Sequence, residues 1–372
     1  MTARRIGMVA HAGLGGSGTV ALDLSLALAR RGHEVHMITP RRPFRMDAAG
    51  GVRVHVVDAV DHAMWETPPW SLALAGQIAE VTKREDLELL HAHFAMPYAV
   101  AAEIAGHVLG AQAPPRVVTL HGSDVELLGR DRPYAIMTEH ALSRARALTV
   151  PSDHLRARAQ DVFAMARDID VVPNFVDGAR FRPSAKRPSP SAGEVVIIHA
   201  SNFRAVKRID DVVSIFARVC AKRPARLLLV GDGAERAPAQ ARLTALGLAD
   251  RVEAPGAITD VETWLARAHV ALVPSERESF GLSALEALAS GVPVVGSAVG
   301  GLANVVTDGA TGRLADVGDV DAMVAATLDI VSEDARWQTM AEAARTEALS
   351  RFSPERALSA FEAIYDRVLA TS

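Results

Sequence analysis

Glu278 and Glu286 follow the spacing E-x7-E in a stretch whose backbone could also bind an anion. VALVPS, before them, is typical of a buried strand, and a helix is predicted to begin near Gly281. Glu278 would then lie in a loop at a strand's carboxyl end, and Glu286 more than one turn into the helix. The amides of Phe280, Gly281 and Leu282 would have no partner inside that helix and would favour an anion. A solvated loop charge and a surface helix residue are the plain alternatives.

The loop HAGLGGSGTV, residues 11–20, is the second candidate, because its glycines spell G-x-G-x-x-G. It follows a predicted first strand and opens a predicted helix, as a phosphate-binding loop does. A dinucleotide fingerprint also needs an acidic residue at the end of the second strand. That strand, EVHMIT, ends at Thr39, and Arg41 and Arg42 follow it. An NADP-binding loop, whose arginine would face a 2′-phosphate, and a simple tight turn both remain open.

Two histidines, His91 and His93, lie on one face of a predicted strand. They could suggest a metal, but no third ligand is evident in the sequence, so we do not favour a metal site. His121 ends the strand VVTLH, and Lys207 follows the strand VVIIHAS. Both positions match the strand ends where parallel sheets bind ligands. A structural histidine and a surface lysine are the ordinary alternatives.

These candidates are positioned by strands that alternate with helices along the whole chain. The predicted strands cover residues 5–10, 34–39, 87–94, 115–121, 147–152, 195–201, 226–233, 251–256, 270–275 and 292–297. The proline- and serine-rich residues 182–194 predict a linker. We therefore predict an α/β protein with two doubly wound parallel-sheet domains, residues 1–182 and 194–350, and a helical tail.

The composition restricts the classes of partner. The 372 residues suit two domains, and a net charge of −4 offers no basic field for nucleic acid. Cys220 is the single cysteine, which excludes an intrachain disulfide and a cysteine-based metal site. The apolar run at the N-terminus is too short for a signal peptide, and no run reaches the ~18–20 residues of a membrane span. We expect a cytoplasmic protein that binds neither nucleic acid nor membrane.

The string ESFGLSALE, followed by ASGVPVVGSAVGG, resembles the signature of the retaining glycosyltransferases of family four. That resemblance implies the GT-B fold, in which two Rossmann-like domains face each other across an interdomain cleft. It also implies that the last helix, near residues 354–370, crosses back onto the first domain.

Further strings are similar to one subgroup, which transfers N-acetylglucosamine from UDP-GlcNAc to the hydroxyl of L-malate in bacillithiol biosynthesis. They are PFR, HGSD, NFVD and SNFRAVKR, and the similarity extends over nearly the whole chain. It implies a same-face mechanism in which the leaving diphosphate accepts the acceptor's proton. No D-x-D string stands out as a bridge between a metal and the diphosphate, so we expect no cofactor and no obligatory metal. A homodimer is allowed.

The resemblance assigns several residues to the donor. Lys207 matches the family lysine on the diphosphate, where a cation stabilises charge developing on the departing UDP. Asn202 stands where many relatives have an arginine, and Arg204 could compensate. Glu286 matches the residue that holds the ribose hydroxyls. Glu278, with the three amides that follow it, matches the group that contacts the sugar hydroxyls.

The resemblance also places Gly16 and Ser17 in the loop that approaches the diphosphate and the acceptor. His121 matches the histidine near the anomeric centre and the C6 hydroxyl of the sugar. We therefore expect His121, Lys207 and Glu278 to be the catalytic residues.

The predicted acceptor residues are Arg45, Ser17, Thr119 and Phe94. L-malate carries two carboxylates, which call for fork-shaped donors or hydroxyls, and Arg45 in PFR is the first candidate. Phe94 stands where the subgroup string HAHY has a tyrosine, so it keeps an aromatic wall and lacks a hydroxyl.

Three other functions compete with this one. A different small or lipid-linked acceptor would keep the same enzyme class. An NADP-dependent oxidoreductase would use the opening loop but would leave E-x7-E and Lys207 unexplained. A non-catalytic sugar-nucleotide sensor would keep the donor residues alone, and Phe94 is the one hint of it.

Overall fold

The computed structural model describes residues 3–11, 13, 15–43, 51–58 and 66–370. Within it, the chain forms two compact units. The first comprises Met1–Pro173 with Glu355–Ser372, and the second comprises Asn174–Pro354. Each unit has its own parallel sheet with helices between the strands, as the sequence predicts.

The first unit contains a seven-stranded sheet. Its strands are β1 (Arg5–Val9), β2 (Glu34–Thr39), β3 (Val52–Val56), β4 (Leu89–His93), β5 (Arg116–Thr119), β6 (Ala147–Val150) and β7 (Asp170–Val171). Its helices are α1 (Gly16–Arg30), α2 (Trp70–Arg84), α3 (Val100–Leu109), α4 (Ser123–Glu126), α5 (Arg132–Arg144) and α6 (Asp153–Val162). The spatial order β3-β2-β1-β4-β5-β6-β7 puts β1 and β4 in the middle.

The central strands are buried on both faces. Ile6, Met8, Leu89 and Leu90 have no exposed surface, which is why these strands are continuous apolar runs in the sequence. The edge strands β3 and β7 were not predicted. β3 is partly exposed and so is not a continuous apolar run, and β7 has only two residues.

The second unit contains a six-stranded parallel sheet. Its strands are β8 (Val195–Ser201), β9 (Ala225–Gly231), β10 (Val252–Gly256), β11 (Val270–Val273), β12 (Val294–Ser297) and β13 (Gly312–Ala315). Its helices are α7 (Ile209–Cys220), α8 (Arg236–Ala245), α9 (Val261–Leu265), α10 (Leu282–Ala289), α11 (Leu302–Val305), α12 (Val320–Ile330) and α13 (Asp334–Arg351). The spatial order is β10-β9-β8-β11-β12-β13, so β8 and β11 are neighbours.

Residues 182–194, predicted to be a linker, belong to the second unit, and Arg187 ties this segment to the rest of it. Arg187 donates to the carbonyls of Ala268 at 3.0 Å and Gly291 at 2.8 Å, and its guanidinium lies 5.0 Å from the ring centre of Trp337. Burial lowers the pKa of Arg187 to about 10. A half-buried arginine and a solvated one look alike in sequence, so the contacts of Arg187 were not foreseen.

The division between the units lies between Pro173 and Asn174, upstream of the predicted boundary at residue 182. The segment just after it is already tied to the second unit, because the Val176 amide donates to the Phe352 carbonyl at 3.0 Å.

The last helix, α14 (Pro354–Ala370), lies almost entirely in the first unit. Tyr365 is buried, and its hydroxyl lies 2.7 Å from His91 Nδ1 on β4. Glu362 pairs with His33 at 3.2 Å and with Arg31. No helix in the described part of the chain has the length and apolar character that a membrane span requires.

Candidate active site

The two charged residues predicted to be catalytic in the second unit lie in loops that follow the neighbouring strands β8 and β11. Lys207 ends a short helical turn after β8, and Glu278 lies between β11 and α10. Lys207 Nζ is 2.6 Å from Glu278 Oε2, although 71 residues separate them in sequence. The two side chains are 16% and 13% exposed. The fold thus brings together a cation and a carboxylate that the sequence assigned to different parts of a donor.

Glu278 is held at both its side chain and its backbone. The buried Ser275 hydroxyl donates to Glu278 Oε2 at 3.3 Å, and the Gly301 amide donates to the Glu278 carbonyl at 2.8 Å. A largely buried carboxylate needs such partners, because losing water without compensation is expensive. Glu278 is therefore not the solvated loop charge of the plain alternative.

The glycines near this loop shape it. A Cβ on Gly301 would lie 2.2 Å from the Ser279 carbonyl oxygen and 2.5 Å from Phe280 Cα, so no larger residue fits. Gly281, just before α10, has φ 99°, a left-handed conformation that favours glycine. The glycines of the sequence signature thus set the path of the loop that carries Glu278.

Phe280, Leu282 and Glu286 lie around the start of α10. The Phe280 side chain is 4% exposed and packs edge-on against Phe352, with ring centres 5.6 Å apart. Its side chain therefore anchors the loop, and only its backbone is a candidate for ligand binding. Leu282 begins the helix, where amides have no partner inside it. Glu286 is half-buried in the second turn.

Asn202 and Arg204 are exposed in the same loop as Lys207. Phe203, between them, has φ 36°, and its fully buried side chain anchors the loop in the core. The end of β9 approaches closely, since a Cβ on Gly231 would lie 1.8 Å from the Ser201 carbonyl oxygen. Both predicted donor residues therefore stand on a tightly packed support.

His199 is a supporting residue that the sequence analysis missed. Its Nδ1 lies 2.8 Å from the Leu272 carbonyl and its Nε2 lies 2.8 Å from Ser201 Oγ, which links β8 to β11. Burial lowers the pKa of His199 to about 4, so the ring is neutral at pH 7. In the sequence, His199 lies inside an apolar strand and cannot be told from an ordinary core residue.

In the first unit, His121 follows β5 and is half-buried. Its Nε2 lies 3.0 Å from His93 Nδ1 on the neighbouring strand β4. Burial lowers the pKa of His121 to about 3, so it is also neutral at pH 7. A neutral imidazole offers one donor and one acceptor to whatever it meets.

Asp124 fixes the backbone around His121. Its fully buried carboxylate accepts from the amides of His121 at 3.0 Å, Gly122 at 2.7 Å and Ala95 at 3.0 Å. It thereby ties the loop after β4 to the loop after β5. Burial raises the pKa of Asp124, and the three amide bonds oppose that shift. The string HGSD contained this residue, but sequence alone gave it no role.

Phe94 and Thr119, both predicted to contact an acceptor, are placed differently. Phe94 is half-buried with φ 82°, an unfavourable conformation for a bulky residue of the kind found at functional sites. Thr119 is 4% exposed, and its Oγ1 lies 2.7 Å from His91 Nε2 and 2.5 Å from Thr149 Oγ1. Its hydroxyl belongs to a buried network, and its contact with an acceptor stays a prediction.

The opening loop contains glycines of two kinds. A Cβ on Gly18 would lie 2.6 Å from the His11 carbonyl oxygen, so packing requires glycine there. A Cβ on Gly16, the first residue of α1, would meet no described residue within 4 Å, and Gly16 is exposed. Ser17, beside it, is half-buried in the first turn. Arg45, the first acceptor candidate, lies outside the described residues.

Comparison with known proteins assigns the family. The model "Glycosyltransferase Family 4" matches residues 14–180, and "Glycosyl transferases group 1" matches residues 182–347. An N-acetyl-alpha-D-glucosaminyl L-malate synthase of Bacillus anthracis is 36% identical over 371 residues, 98% of this chain and 97% of that protein. The chain is a family 4 glycosyltransferase.

Two further likenesses agree. A D-inositol 3-phosphate glycosyltransferase of Nocardia farcinica is 29% identical over 337 residues, 81% of this glycosyltransferase and 73% of that protein. The solved structure of a sucrose-phosphate synthase from Thermosynechococcus elongatus superposes with a TM-score of 0.81 at 24% identity, covering 99% of this chain and 100% of that chain. The predicted family, the enzyme class and the two Rossmann-like sheets are confirmed, and the oxidoreductase alternative is not favoured.

Two clusters in the described part of the glycosyltransferase have the spacing to hold a metal ion, and neither includes His91 or His93. They are His36 with His55 and Glu85, and Glu103 with His107 and His140. The pair of histidines on β4 hydrogen-bonds to Tyr365, Thr119 and His121.

Proposed function

We propose that this glycosyltransferase moves N-acetylglucosamine from UDP-GlcNAc to the hydroxyl of L-malate, releasing UDP and retaining the α-configuration. The near full-length likeness to the Bacillus anthracis synthase supports this choice of product. The observation that best supports the proposed chemistry is the contact of 2.6 Å between Lys207 Nζ and Glu278 Oε2, in the loops that follow β8 and β11.

On the donor side, Lys207 would bind the diphosphate and stabilise the negative charge that grows on UDP as the glycosidic bond breaks. Glu278 would accept hydrogen bonds from hydroxyls of the sugar. The amides of Phe280, Gly281 and Leu282 would add dipoles, and Glu286 would hold the ribose. Because Lys207 and Glu278 contact each other, each would keep the other's charge compensated before the donor binds.

On the acceptor side, the start of α1, with exposed Gly16 and half-buried Ser17, would let backbone approach the diphosphate and L-malate. Neutral His121 would hydrogen-bond the sugar near its reacting carbon. Arg45 remains the predicted contact of the malate carboxylates, and Phe94 remains the predicted aromatic wall of the acceptor site. The leaving diphosphate would take the proton of the malate hydroxyl on the face where the new bond forms.

Incubation of the purified protein with UDP-GlcNAc and L-malate tests the proposal. We expect UDP release together with GlcNAc-malate, whose anomeric proton coupling in NMR reports the α-configuration. Succinate is the matched control, because it has both carboxylates and lacks the hydroxyl, so it should give no product. Turnover with another acceptor, such as inositol phosphate, and none with malate would contradict the acceptor assignment.

The proposed reaction assigns its charge stabilisation to Lys207 and to amides, so it uses no cofactor and no obligatory metal. We expect EDTA to leave the initial rate unchanged. A rate that falls with EDTA and returns with added Mg²⁺ or Mn²⁺ would contradict this. The homodimer stays a prediction, which sedimentation velocity can test.

A further inference from the structure

His93 is a buried residue for which family resemblance provided no role. It lies on β4 with 1% of its surface exposed, and its ring lies close to two other histidine rings. Its centre is 4.3 Å from the ring centre of His91 and 5.2 Å from that of His121. Its Nδ1 lies 3.0 Å from His121 Nε2, so it contacts a predicted catalytic residue directly.

The hydrogen bond between His93 and His121 joins two neutral rings. Burial holds the pKa of His93 well below its usual value and lowers the pKa of His121 to about 3. In a neutral pair, one ring must donate its single N–H and the other must accept. Either His93 donates from Nδ1, or His121 donates from Nε2.

The other nitrogen of His93 decides between these arrangements. His93 Nε2 is buried and has no hydrogen-bond partner among the described residues. If His121 were the donor, His93 would carry its own proton on Nε2, and a buried N–H would be left unpaired. If His93 is the donor, only a ring lone pair is left unpaired, which is the less unfavourable outcome.

We propose that His93 is a positioning residue that donates its Nδ1–H to His121 Nε2 and thereby fixes the proton of His121 on Nδ1. His121 then presents a fixed donor to an oxygen of the bound sugar. Only one part of this role rests on the proposed function, namely that the partner of the His121 donor is a sugar. The tautomer itself follows from the first unit alone.

The surroundings of His93 keep its ring in place. His91, packed against it, is held at both nitrogens, by the Tyr365 hydroxyl at 2.7 Å and by Thr119 Oγ1 at 2.7 Å. The C-terminal helix α14 therefore supports the ring behind His93. A donor with so little freedom loses little entropy when it binds.

Two substitutions separate the hydrogen bond from the volume of the ring. His93→Asn places a side-chain amide N–H near the position of Nδ1, whereas His93→Leu fills similar space without a donor. His36→Leu is the matched control, because His36 is also fully buried in this unit and also makes a histidine–histidine contact of 3.0 Å, with His55.

We expect His93→Leu to lower kcat roughly tenfold or more, the effect of one lost hydrogen bond in the transition state. The KM for UDP-GlcNAc should change much less, and His93→Asn and His36→Leu should keep most of the activity. Equal losses of kcat in His93→Leu and His36→Leu, or in the Leu and Asn variants, would overturn the role.

Long-range ¹H–¹⁵N NMR of the ring nitrogens gives a readout that needs no substrate. We expect His121 to be protonated on Nδ1 in the wild type and in His93→Asn, and to lose that preference in His93→Leu. A wild-type His121 protonated on Nε2 would overturn the proposal. If no GlcNAc-malate forms, the proposed function fails while this measurement still decides the tautomer.

Discussion

The strand ends of the two units carry opposite kinds of chemistry. In the second unit, a cation and a carboxylate face each other 2.6 Å apart and keep some exposure to solvent. In the first unit, His91, His93 and His121 are all held neutral by burial. The charged pair thus lies where the leaving diphosphate is proposed to bind, and the neutral histidines lie where the sugar is proposed to bind.

The difference has a physical basis. A leaving diphosphate gains negative charge in the transition state, and a nearby cation is the strongest stabiliser of that change. Hydroxyls of a sugar stay neutral, and a neutral imidazole matches them without the desolvation penalty of a buried charge.

The strongest test of this comparison is Lys207→Ala. We expect kcat to fall by about a hundredfold to a thousandfold, as for the loss of one transition-state donor, with little change in malate affinity. Steady-state kinetics with both substrates measures this. Lys222→Ala removes an exposed lysine of the same unit and should leave the kinetics unchanged. If Lys207→Ala keeps wild-type turnover, the charged region is not catalytic.

Acid should destabilise the histidine-rich first unit more than the second, in which burial lowers the pKa of fewer histidines. Above pH 6.5 its buried histidines are neutral in both the folded and the unfolded chain, so their protonation changes nothing. Between pH 6.5 and about 3, His91 and His121 stay neutral in the folded chain while the unfolded chain binds protons. As the pH decreases through this range, the free energy of unfolding should therefore decrease by about 1.4 kcal/mol per pH unit for each histidine.

Single-tryptophan variants can locate this loss. Trp70 lies in the first unit and Trp337 in the second, so keeping one tryptophan and replacing the others by phenylalanine reports on one unit. We expect urea unfolding at pH 5 to show the larger loss of stability for the Trp70 reporter. Equal losses of stability for the two reporters would contradict the expected difference between the units.

The smallest expected effect concerns Gly16, where the described residues leave room for a side chain. Gly16→Leu should raise KM for UDP-GlcNAc severalfold, up to about tenfold, because its bulk would keep ligand from the backbone. Gly76→Leu is the matched control, since Gly76 is an exposed glycine in α2 that also has no neighbour within 4 Å. Unchanged KM in Gly16→Leu would place the ligand elsewhere.

Local sequence patterns predicted the parts of the site that depend on short stretches of chain. The apolar runs gave the central strands, since strands buried on both faces contain few polar residues. E-x7-E gave the loop and helix that carry Glu278 and Glu286, and the glycine string gave the start of α1.

Only the tertiary structure decided which distant residues meet. Lys207 and Glu278 are in contact because β8 and β11 are neighbours in the sheet, an order that the chain sequence does not reveal. Thr119 was expected near the acceptor, yet its hydroxyl is buried by contacts from two adjacent strands. Strand order and side-chain burial arise from packing across the whole unit, so residue types and spacing determined the chemistry available and the fold determined its partners.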